Sequence, residues 1–468
     1  MQPMLMCHKC GRQSDTQPPR STCLNCGEML EYTFSEDYLK NAELSGSLTF
    51  WRYRPLLPTV EHMVSLGEGG TPLHESRRLS KVIGLSRLYL KDESQNPTNS
   101  FRDRCASLIV SNALDLNYDT LIAATAGNLG ASLAAYCAKA DLNCKLIVPK
   151  AVDMGKLAQM IAYDSSIEEH GKTVDESIER AFTLGNETSW YQATFELNPL
   201  GIEALKTIAY ETAEQTDAPD CVVAPMGSGG TIYALWKGFK ELKAAAKTES
   251  VPRLIGVQAE GCSPIVQAFL QGSDNIEESQ DAETKALAIR IRKPVYGAAA
   301  LRALKESSGI AVSVSDEEML SIEKELAQLE GIFAELASSA TLACLRKLLD
   351  KGAISPSEKV VCIVTSSGLK TTDILNTLTK KGKSLGIGYK LATKERILRL
   401  IDLDKTYGYD VWKNIGKGMT LGAVYQHLSE LEEKGLVVSV VEGKRRYFKL
   451  TSRGHGVLKA LDELKSLL

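Results

Sequence analysis

The sequence predicts an α/β protein built on parallel β-sheets, with a cysteine-rich segment before that body and a basic segment after it. Between about Tyr53 and Asp373, short β-branched runs alternate with longer helical patterns, which is typical of parallel strands covered by helices on both faces. Four of the first 34 residues are cysteines in two closely spaced pairs. Beyond Asp373, a positive charge and a helix-rich pattern indicate a separate domain.

The composition excludes several classes of protein. A hydrophobic fraction of 44% and a charged fraction of 24% exclude a chain that is disordered throughout. The sequence contains no run of about 18 apolar residues, and Met1–Gln13 lacks the apolar stretch of a signal peptide. We therefore expect a cytoplasmic protein with no membrane partner.

The net charge of -3 is unevenly distributed. Residues 374–468 contain 18 Lys and Arg against 10 Asp and Glu, a net +8, which leaves -11 for the 373 residues before them. A basic domain on an acidic body indicates different partners for the two parts, so the near-neutral total does not exclude a nucleic-acid partner. A basic surface without any partner is the alternative.

The cysteine pairs have the spacing of a structural zinc site. Cys7, Cys10, Cys23 and Cys26 form C-x2-C-x12-C-x2-C, and a glycine after each pair permits a tight turn. Four thiolates close a tetrahedral site, so the predicted zinc is structural; disulfides are the alternative, and His8 is expected on the surface. The other seven cysteines stand singly in apolar runs and are predicted to be core residues: Cys105, Cys137, Cys144, Cys221, Cys262, Cys344 and Cys362.

Polar turns in the body are placed to form a ligand site. The predicted strands are Thr120–Ala124, Cys144–Val148, Cys221–Ala224, Leu254–Gln258 and Lys359–Thr365. Glycine-containing turns occur at Thr125–Asn128, Pro225–Thr231 and Thr365–Gly368, at the carboxyl ends of three of these strands. Such turns line the ligand crevice of an open α/β sheet, and a glycine-rich turn before a helix suits a phosphate, although turns of this kind also merely connect elements.

From about Ser65 to Asp373 the chain resembles threonine synthase, a pyridoxal-phosphate enzyme of fold type II (the tryptophan synthase beta-like fold, with two subdomains built on parallel sheets). The segments that carry the resemblance are Gly67–Leu73, Asn96–Arg104, Gly155–Gln159, Ala288–Ile291 and Glu330–Phe333. The resemblance implies that Gly227, Ser228, Gly229, Gly230 and Thr231 hold the cofactor phosphate. It also implies that Asn128 bonds the pyridine hydroxyl and that Thr365 bonds the ring nitrogen.

One residue departs from the chemistry of that family. The family motif ends in Ser-Phe-Lys-Asp-Arg, whose lysine forms the Schiff base, whereas this chain has Arg102 between Phe101 and Asp103. A Schiff base needs a neutral primary amine, and a guanidinium with a pKa above about 12 does not supply one. We therefore name no catalytic residue and expect pyridoxal phosphate to bind non-covalently. Lys91, Lys150 and Lys156 are the candidate substitute amines.

Two further departures concern the substrate. The family places a Thr after its asparagine turn, where this chain has Leu129. The family also grips the phosphate of phosphohomoserine with a Ser and an Arg, and the corresponding positions here are Glu196 and Gly201. A carboxylate in place of a hydroxyl, together with a missing arginine, would repel a phosphorylated substrate.

The basic segment resembles the winged helix-turn-helix of PadR-type regulators. A first helix is predicted within Glu395–Leu403, a second through Val411 and Trp412, and a third from the N-cap Thr420 to Gly435. Two strands, Leu436–Val441 and Arg446–Leu450, follow as a hairpin. The residues that carry the resemblance are Gly408, Tyr409, Val424, Tyr425, Leu428, Leu431, Glu432, Lys434, Gly435, Leu436, Tyr447, Leu450, Thr451 and Gly454.

That architecture predicts a DNA-binding surface. The third helix is expected to enter a major groove, with its outer face formed by Thr420, Tyr425, Gln426 and His427. The wing is expected to contact phosphates or a minor groove through Lys444, Arg445 and Arg446. A winged helix used for protein contact is the alternative. Both resemblances favour a homodimer, which would present two such heads to a two-fold DNA site.

These features divide the chain into four parts. They are a zinc ribbon at 1–34, a threonine-synthase-like body at 53–373, a linker at 374–391 in which Gly386-Ile387-Gly388 breaks any period, and an α+β winged helix-turn-helix at 392–468. We hypothesise a transcriptional regulator whose core senses pyridoxal phosphate, an amino acid or the aldimine of the two. The competing hypotheses are a working threonine synthase or related lyase with an accessory domain, and a structural protein that binds neither cofactor nor DNA.

Overall fold

The computed structural model describes residues 3–14, 17–371, 386–402, 406–415, 420–442 and 445–466. The chain forms two compact units, Met1–Asp373 and Ile374–Leu468. Within the described ranges, no helix is both long and apolar enough to cross a membrane.

The first unit begins with a small antiparallel sheet. Its strands are β1 (Met4–Cys7), β2 (Gln13–Ser14) and β3 (Leu30–Thr33), in the order β2-β1-β3. Leu5, Leu30 and Tyr32 are buried, and they belong to the same apolar cluster as the helices of the body. The sheet is therefore packed onto the body rather than standing apart from it.

The body contains two sheets whose strands are almost all parallel. The larger sheet has the order β12-β11-β10-β13-β5-β4, and only β4 is antiparallel to its neighbour. Its strands are β4 (Leu73–Glu75), β5 (Arg87–Asp92), β10 (Cys221–Pro225), β11 (Arg253–Ala259), β12 (Ile310–Val314) and β13 (Lys359–Val364). The smaller sheet, β8-β7-β6-β9, comprises β6 (Thr120–Ala124), β7 (Asn143–Val148), β8 (Ser166–Glu169) and β9 (Tyr191–Gln192).

Helices cover these sheets, and several of them start directly after a strand. The helices of the first unit are α1 (Glu36–Asn41), α2 (Arg78–Ile83), α3 (Arg102–Asp115), α4 (Asn128–Ala140), α5 (Met154–Ala162), α6 (Val174–Glu187), α7 (Leu200–Thr216), α8 (Gly230–Ala244), α9 (Pro264–Leu270), α10 (Gly297–Glu306), α11 (Asp316–Glu330) and α12 (Leu336–Asp350). All five predicted strands are present, each within one residue of its predicted ends. The seven cysteines predicted to be core residues are all buried.

The second unit has the predicted winged-helix order with two additions. It contains α13 (Gly386–Asp402), β14 (Thr406–Tyr407), α14 (Gly408–Ile415), α15 (Leu421–Glu433), β15 (Val437–Glu442), β16 (Arg445–Leu450) and α16 (Ser452–Ser466). The strands form the sheet β14-β16-β15. Strand β14 and helix α16 were not predicted. Side chains including Ile397, Val424, Leu428 and Phe448 form the core of this unit.

The predicted linker at 374–391 is wrong at its carboxyl end. Helix α13 begins at Gly386, so the winged-helix boundary predicted at 392 falls inside a helix. Gly386 and Gly388 do not break this helix, because glycine disrupts the first turn of a helix much less than its interior, where every N–H group needs a helical partner. The rest of the predicted linker, 374–385, lies outside the described residues.

Replacing Leu428 by Ala tests the core of the second unit. Leu428 is fully buried, so Leu428→Ala is expected to destabilise this unit by about 2–5 kcal/mol. Hydrogen exchange of peptides from 386–466 in the full chain measures the loss. Ser429→Ala, at an exposed neighbour on the same helix, is the control. Equal protection in the two variants would contradict this core.

Candidate cofactor, metal and nucleic-acid sites

One cavity of the body is lined by residues from all three predicted turns. Strands β10 and β13 are neighbours in the larger sheet and β6 lies in the smaller one, so the cavity lies where the carboxyl ends of strands from both sheets meet. The lining includes all seven residues predicted to hold the cofactor: Asn128, Gly227, Ser228, Gly229, Gly230, Thr231 and Thr365.

The turn between β10 and α8 has the geometry of a phosphate cradle. Gly229 has a φ of 91°, and a Cβ there would lie 2.8 Å from the backbone oxygen of Tyr296. A Cβ on Gly227 would lie 3.0 Å from Ile291. The turn can therefore be this tight only with glycine, and it directs the unpaired N–H groups of the first turn of α8 at the cavity.

Polar atoms on the opposite side of the cavity suit a pyridine ring. The Nδ2 of Asn128 donates to Glu335 at 2.7 Å, whereas its Oδ1 is buried and has no partner among the described residues. The Thr365 hydroxyl lies 2.8 Å from that of Ser338. An unpaired acceptor beside the cavity suits a hydroxyl donor, so the residues present fit pyridoxal phosphate bound without a covalent link.

Arg102 lies in this cavity with its guanidinium between two aromatic rings. The guanidinium carbon is 4.0 Å from the ring centre of Phe195 and 4.7 Å from that of Phe101. Its Nη1 is buried without a hydrogen-bond partner in the described part of the chain. The next two side chains point into the protein. Asp103 bonds the N–H and hydroxyl of Thr98, and Arg104 is fully buried in ion pairs.

None of the three candidate substitute lysines lines the cavity. The Nζ of Lys91 is buried and bonds Glu211 at 2.8 Å, and burial lowers the pKa of this amine despite that carboxylate. Lys150 is exposed. The Nζ of Lys156 bonds Asp153 at 2.5 Å and Glu335 at 2.7 Å; burial would lower the pKa of Lys156, but the two carboxylates outweigh burial and raise it. None of the three candidate lysines is therefore placed to replace the missing amine.

Two of the residues that depart from the family pattern, Arg102 and Gly201, adjoin the ring of Phe195. Glu196 and Leu129 line the same cavity. A Cβ on Gly201 would lie 2.5 Å from the Phe195 ring, so a larger side chain does not fit at that position without moving the ring. The ring of Phe195 therefore contacts Arg102 and also occupies the space beside Gly201.

Several residues that support the site were not predicted. Glu335 accepts from both Asn128 and Lys156; burial alone would raise its pKa, but the charge of Lys156 outweighs burial and lowers it. Burial lowers the pKa of Lys370 to about 8, but its Nζ donates to the backbone oxygen of Thr98 and the residue does not line the cavity. Glu335 is a single charged residue in an otherwise apolar stretch, which is a usable signal, whereas Lys370 stands among Ser, Gly and Thr residues and offers none.

The four predicted zinc ligands come together. The Sγ atoms of Cys7, Cys10, Cys23 and Cys26 all lie within 4.8 Å of one another. The Cys7–Cys26 and Cys10–Cys23 separations are 3.4 Å and 3.7 Å, close to the ~3.8 Å expected between thiolates of a tetrahedral zinc site with 2.3 Å bonds. All eleven cysteines are free thiols, and the predicted tight turns are present at Gly11 and Gly27. His8 is exposed, as expected.

This cysteine-rich sheet docks onto α8, the helix that begins at the phosphate cradle. Lys237 of α8 donates to the backbone oxygen of Tyr32 at 2.6 Å. The Lys206 ammonium lies 4.1 Å from the ring centre of Phe34, and Arg302 pairs with Glu31 at 2.7 Å. The sheet that carries the candidate metal site therefore packs against the same helix that begins at the candidate phosphate site.

The predicted DNA-contacting residues are only partly on an exposed face. Thr420 caps α15 through the N–H of Ala423, and Gln426 is exposed. Tyr425 is half-buried against Gly408 and Phe448, and the His427 side chain is only 13% exposed. The outer-face prediction is thus wrong for Tyr425 and His427, because they border the buried Val424 and Leu428; exposed Gly422 and Ser429 share the Gln426 face instead.

The predicted wing residues also differ in how exposed and how strongly paired their side chains are. Arg445 is exposed, with its guanidinium 5.6 Å from the Tyr407 ring centre. Arg446 pairs with Glu432 at 2.6 Å and bonds Ser439, so it is less free to reach a phosphate than predicted. Lys444 lies outside the described residues.

Known proteins match both units. The family described as pyridoxal-phosphate dependent enzyme matches residues 64–366, and the PadR-like family of transcriptional regulators matches residues 397–460. Threonine synthase of Methanosarcina acetivorans is 40% identical over 372 residues, covering 78% of this chain and 92% of that protein. Threonine synthase of Methanocaldococcus jannaschii is 39% identical over 377 residues, covering 78% of this chain and 93% of that protein.

Solved structures share the fold. Processed threonine deaminase isoform 2 from Solanum lycopersicum has a TM-score of 0.56 at 22% identity, covering 66% of this chain and 82% of that chain. A fungal L-serine ammonia-lyase from Rhizomucor miehei has a TM-score of 0.57 at 20% identity, covering 66% and 98%. The chain therefore belongs to the pyridoxal-phosphate-dependent enzyme family, within it to the threonine synthase-like proteins, and carries a PadR-like domain at its carboxyl end.

Proposed function

We propose that this protein is a DNA-binding transcriptional regulator whose threonine-synthase-like core binds pyridoxal phosphate, an amino-acid ligand or both, and no longer synthesises threonine. The single observation that carries the proposal is Arg102, which lies in a cavity with no lysine among its described lining residues. Ligand binding in the core would change how the DNA-binding heads are presented. The proposal places the protein in the cytoplasm as a homodimer.

The residues of the cavity can bind the cofactor but do not complete its reaction. Pyridoxal phosphate, when bound, supplies an electron sink for chemistry at amino-acid carbons. The first turn of α8 would hold its phosphate, while Asn128 and Thr365 would orient its ring. The guanidinium of Arg102 is not a primary amine, so it does not form a Schiff base with a carbonyl and does not replace the amine that moves protons in the family's reaction.

A working enzyme is the second candidate. It is favoured by the identities of 40% and 39% to proteins named threonine synthase and by the retained phosphate turn. Against it stand Arg102, the carboxylate of Glu196 and the lack of space for a side chain at Gly201.

Arg102→Lys separates the two candidates. The substitution restores a primary amine in the cavity, so the variant is expected to gain visible absorption with pyridoxal phosphate and near-stoichiometric fixation of the cofactor after borohydride. Mass spectrometry of the intact chain measures this, with the exposed Arg77→Lys as the control. The wild-type chain is expected to fix none. Cofactor fixed to a lysine of the wild-type chain would support the enzyme instead.

Removing a cysteine ligand tests the proposed zinc ribbon at 1–34. Cys23→Ser is expected to lower the zinc content from one ion per chain to a small fraction and to expose residues 4–33 to hydrogen exchange, because a segment this short depends on its metal for folding. Elemental analysis and exchange mass spectrometry measure these effects. His8→Ala should retain its zinc. Full zinc content in Cys23→Ser would rule out this ligand set.

The winged helix is proposed to bind DNA through Thr420, Gln426 and Arg445. The exposed polar face of α15 faces away from the core of the unit, as major-groove reading requires. Lys444 and Arg446 remain part of the proposed wing, with a smaller expected contribution from Arg446 because it is paired with Glu432, whereas Tyr425 and His427 are not part of the proposed surface.

Two substitutions distinguish phosphate contact from base reading. Arg445→Ala is expected to weaken binding to all DNA sequences and to reduce the slope of log affinity against log salt concentration by about one. Gln426→Ala is expected to lower the preference for the cognate site over other sequences by about 1–3 kcal/mol. Fluorescence anisotropy with the protein's own upstream DNA and a scrambled duplex measures both, with the exposed Lys413→Ala as the control for lost charge. Affinity that does not change with salt would contradict DNA binding by this surface.

A further inference from the structure

The cavity holds two opposite charges that do not neutralise each other. Arg102 and Glu196 both line it, yet no oxygen of Glu196 lies within the 4.0 Å of an Arg102 nitrogen that defines an ion pair. Burial raises the pKa of Glu196, and the positive charge of Arg102 opposes that rise. A ligand in the space enclosed by this cavity can therefore contact both residues.

Arg102 presents a fixed donor to that space. The rings of Phe101 and Phe195 hold the guanidinium, and its buried Nη1 has no partner among the described residues. A buried donor without an acceptor is costly, and a guanidinium fork is matched best by a carboxylate or a phosphate. The ligand that completes this site therefore brings an anionic group to Arg102.

Glu196 indicates what else the ligand carries. A carboxylate on the cavity wall favours a cation and disfavours a second anion, and Ser228 of the phosphate turn is near enough to Glu196 to lower its pKa. A purely anionic ligand would pair with the guanidinium of Arg102 but would be repelled by the carboxylate of Glu196. A molecule with one carboxylate and one ammonium satisfies both residues.

Resting on the proposed function, we propose that Arg102 and Glu196 form a binding site for a free, unphosphorylated α-amino acid, with Arg102 holding the carboxylate and Glu196 holding the ammonium. Leu129, Val174 and Ile291 supply apolar wall of the same cavity. Because these side chains are apolar, the site selects amino acids with small, uncharged side chains. This makes the ligand's two charges, rather than a bond to a lysine, the basis of recognition.

The test compares ligands that differ by one charge. Isothermal titration calorimetry of the full wild-type chain uses L-threonine, L-valine and L-alanine, then N-acetyl-L-threonine, which lacks the ammonium, and 1-amino-2-propanol, which lacks the carboxylate. At least one free amino acid is expected to bind, and each single-charge analogue is expected to bind at least about tenfold more weakly than its parent. Failure of all the free amino acids, or equal binding of a single-charge analogue, would overturn the proposal.

Matched variants assign the two charges. Arg102→Gln and Glu196→Gln are each expected to weaken amino-acid binding about ten- to hundredfold. The exposed controls Arg77→Gln and Glu179→Gln make the same changes of charge and should bind as the wild type does. Full affinity in Glu196→Gln would remove Glu196 from the site. The analogue series on the wild-type chain keeps the test decisive where a variant fails to fold.

Binding of pyridoxal phosphate and of DNA is measured on the same protein preparations. A failure of amino-acid binding can then be distinguished from a failure of DNA binding. A chain that binds cofactor and DNA but none of the amino acids would overturn the Arg102–Glu196 site and leave the regulator intact. A chain that binds amino acids as described but not DNA would overturn the regulator and support the site.

Discussion

A guanidinium that contacts two aromatic rings sets the chemistry of the central cavity, because the family's reaction needs a primary amine at that position. Arg102 is the first residue of α3, and the two residues after it are locked by buried contacts: Asp103 to Thr98, and Arg104 to two glutamates. The helix start is thus rigid, and the charge is presented to the cavity in one place.

The phosphate turn depends on a second set of buried charges. Helix α8 begins at that turn, and farther along it Lys237 bonds both Glu241 and the backbone of the cysteine-rich sheet. Lys206 of α7 joins this cluster by pairing with Glu203 and Glu241. Charges removed from water are stable only while every partner is in place, so the small sheet that carries the four cysteines and the phosphate turn are parts of one packed arrangement.

Periodicity predicted the fold well where side-chain pattern alone decides it. The parallel strands and the buried cysteines follow from apolar runs, and the cysteine cluster follows from spacing. Other features depend on contacts between distant residues: the partnering of Glu335 with Asn128 and Lys156, and the pairing of Arg446 with Glu432. The polar character of Tyr425 and His427 predicts exposure, but both residues lie next to Val424 and Leu428, which are buried in the core of this unit. Residue type alone therefore does not place these two side chains on the outer face of α15.

In the proposed regulator, ligand binding in the core changes the affinity of the winged-helix domain for DNA. A single linkage measurement tests this coupling directly. The affinity of the full chain for its own upstream DNA is measured at fixed salt without ligand, with pyridoxal phosphate, with L-threonine and with both, at concentrations where calorimetry shows the core to be occupied. Ligand bound in the core is expected to change the DNA affinity at least severalfold, since a coupling free energy of about 1–3 kcal/mol is usual between linked sites. An unchanged DNA affinity with the core occupied would contradict it.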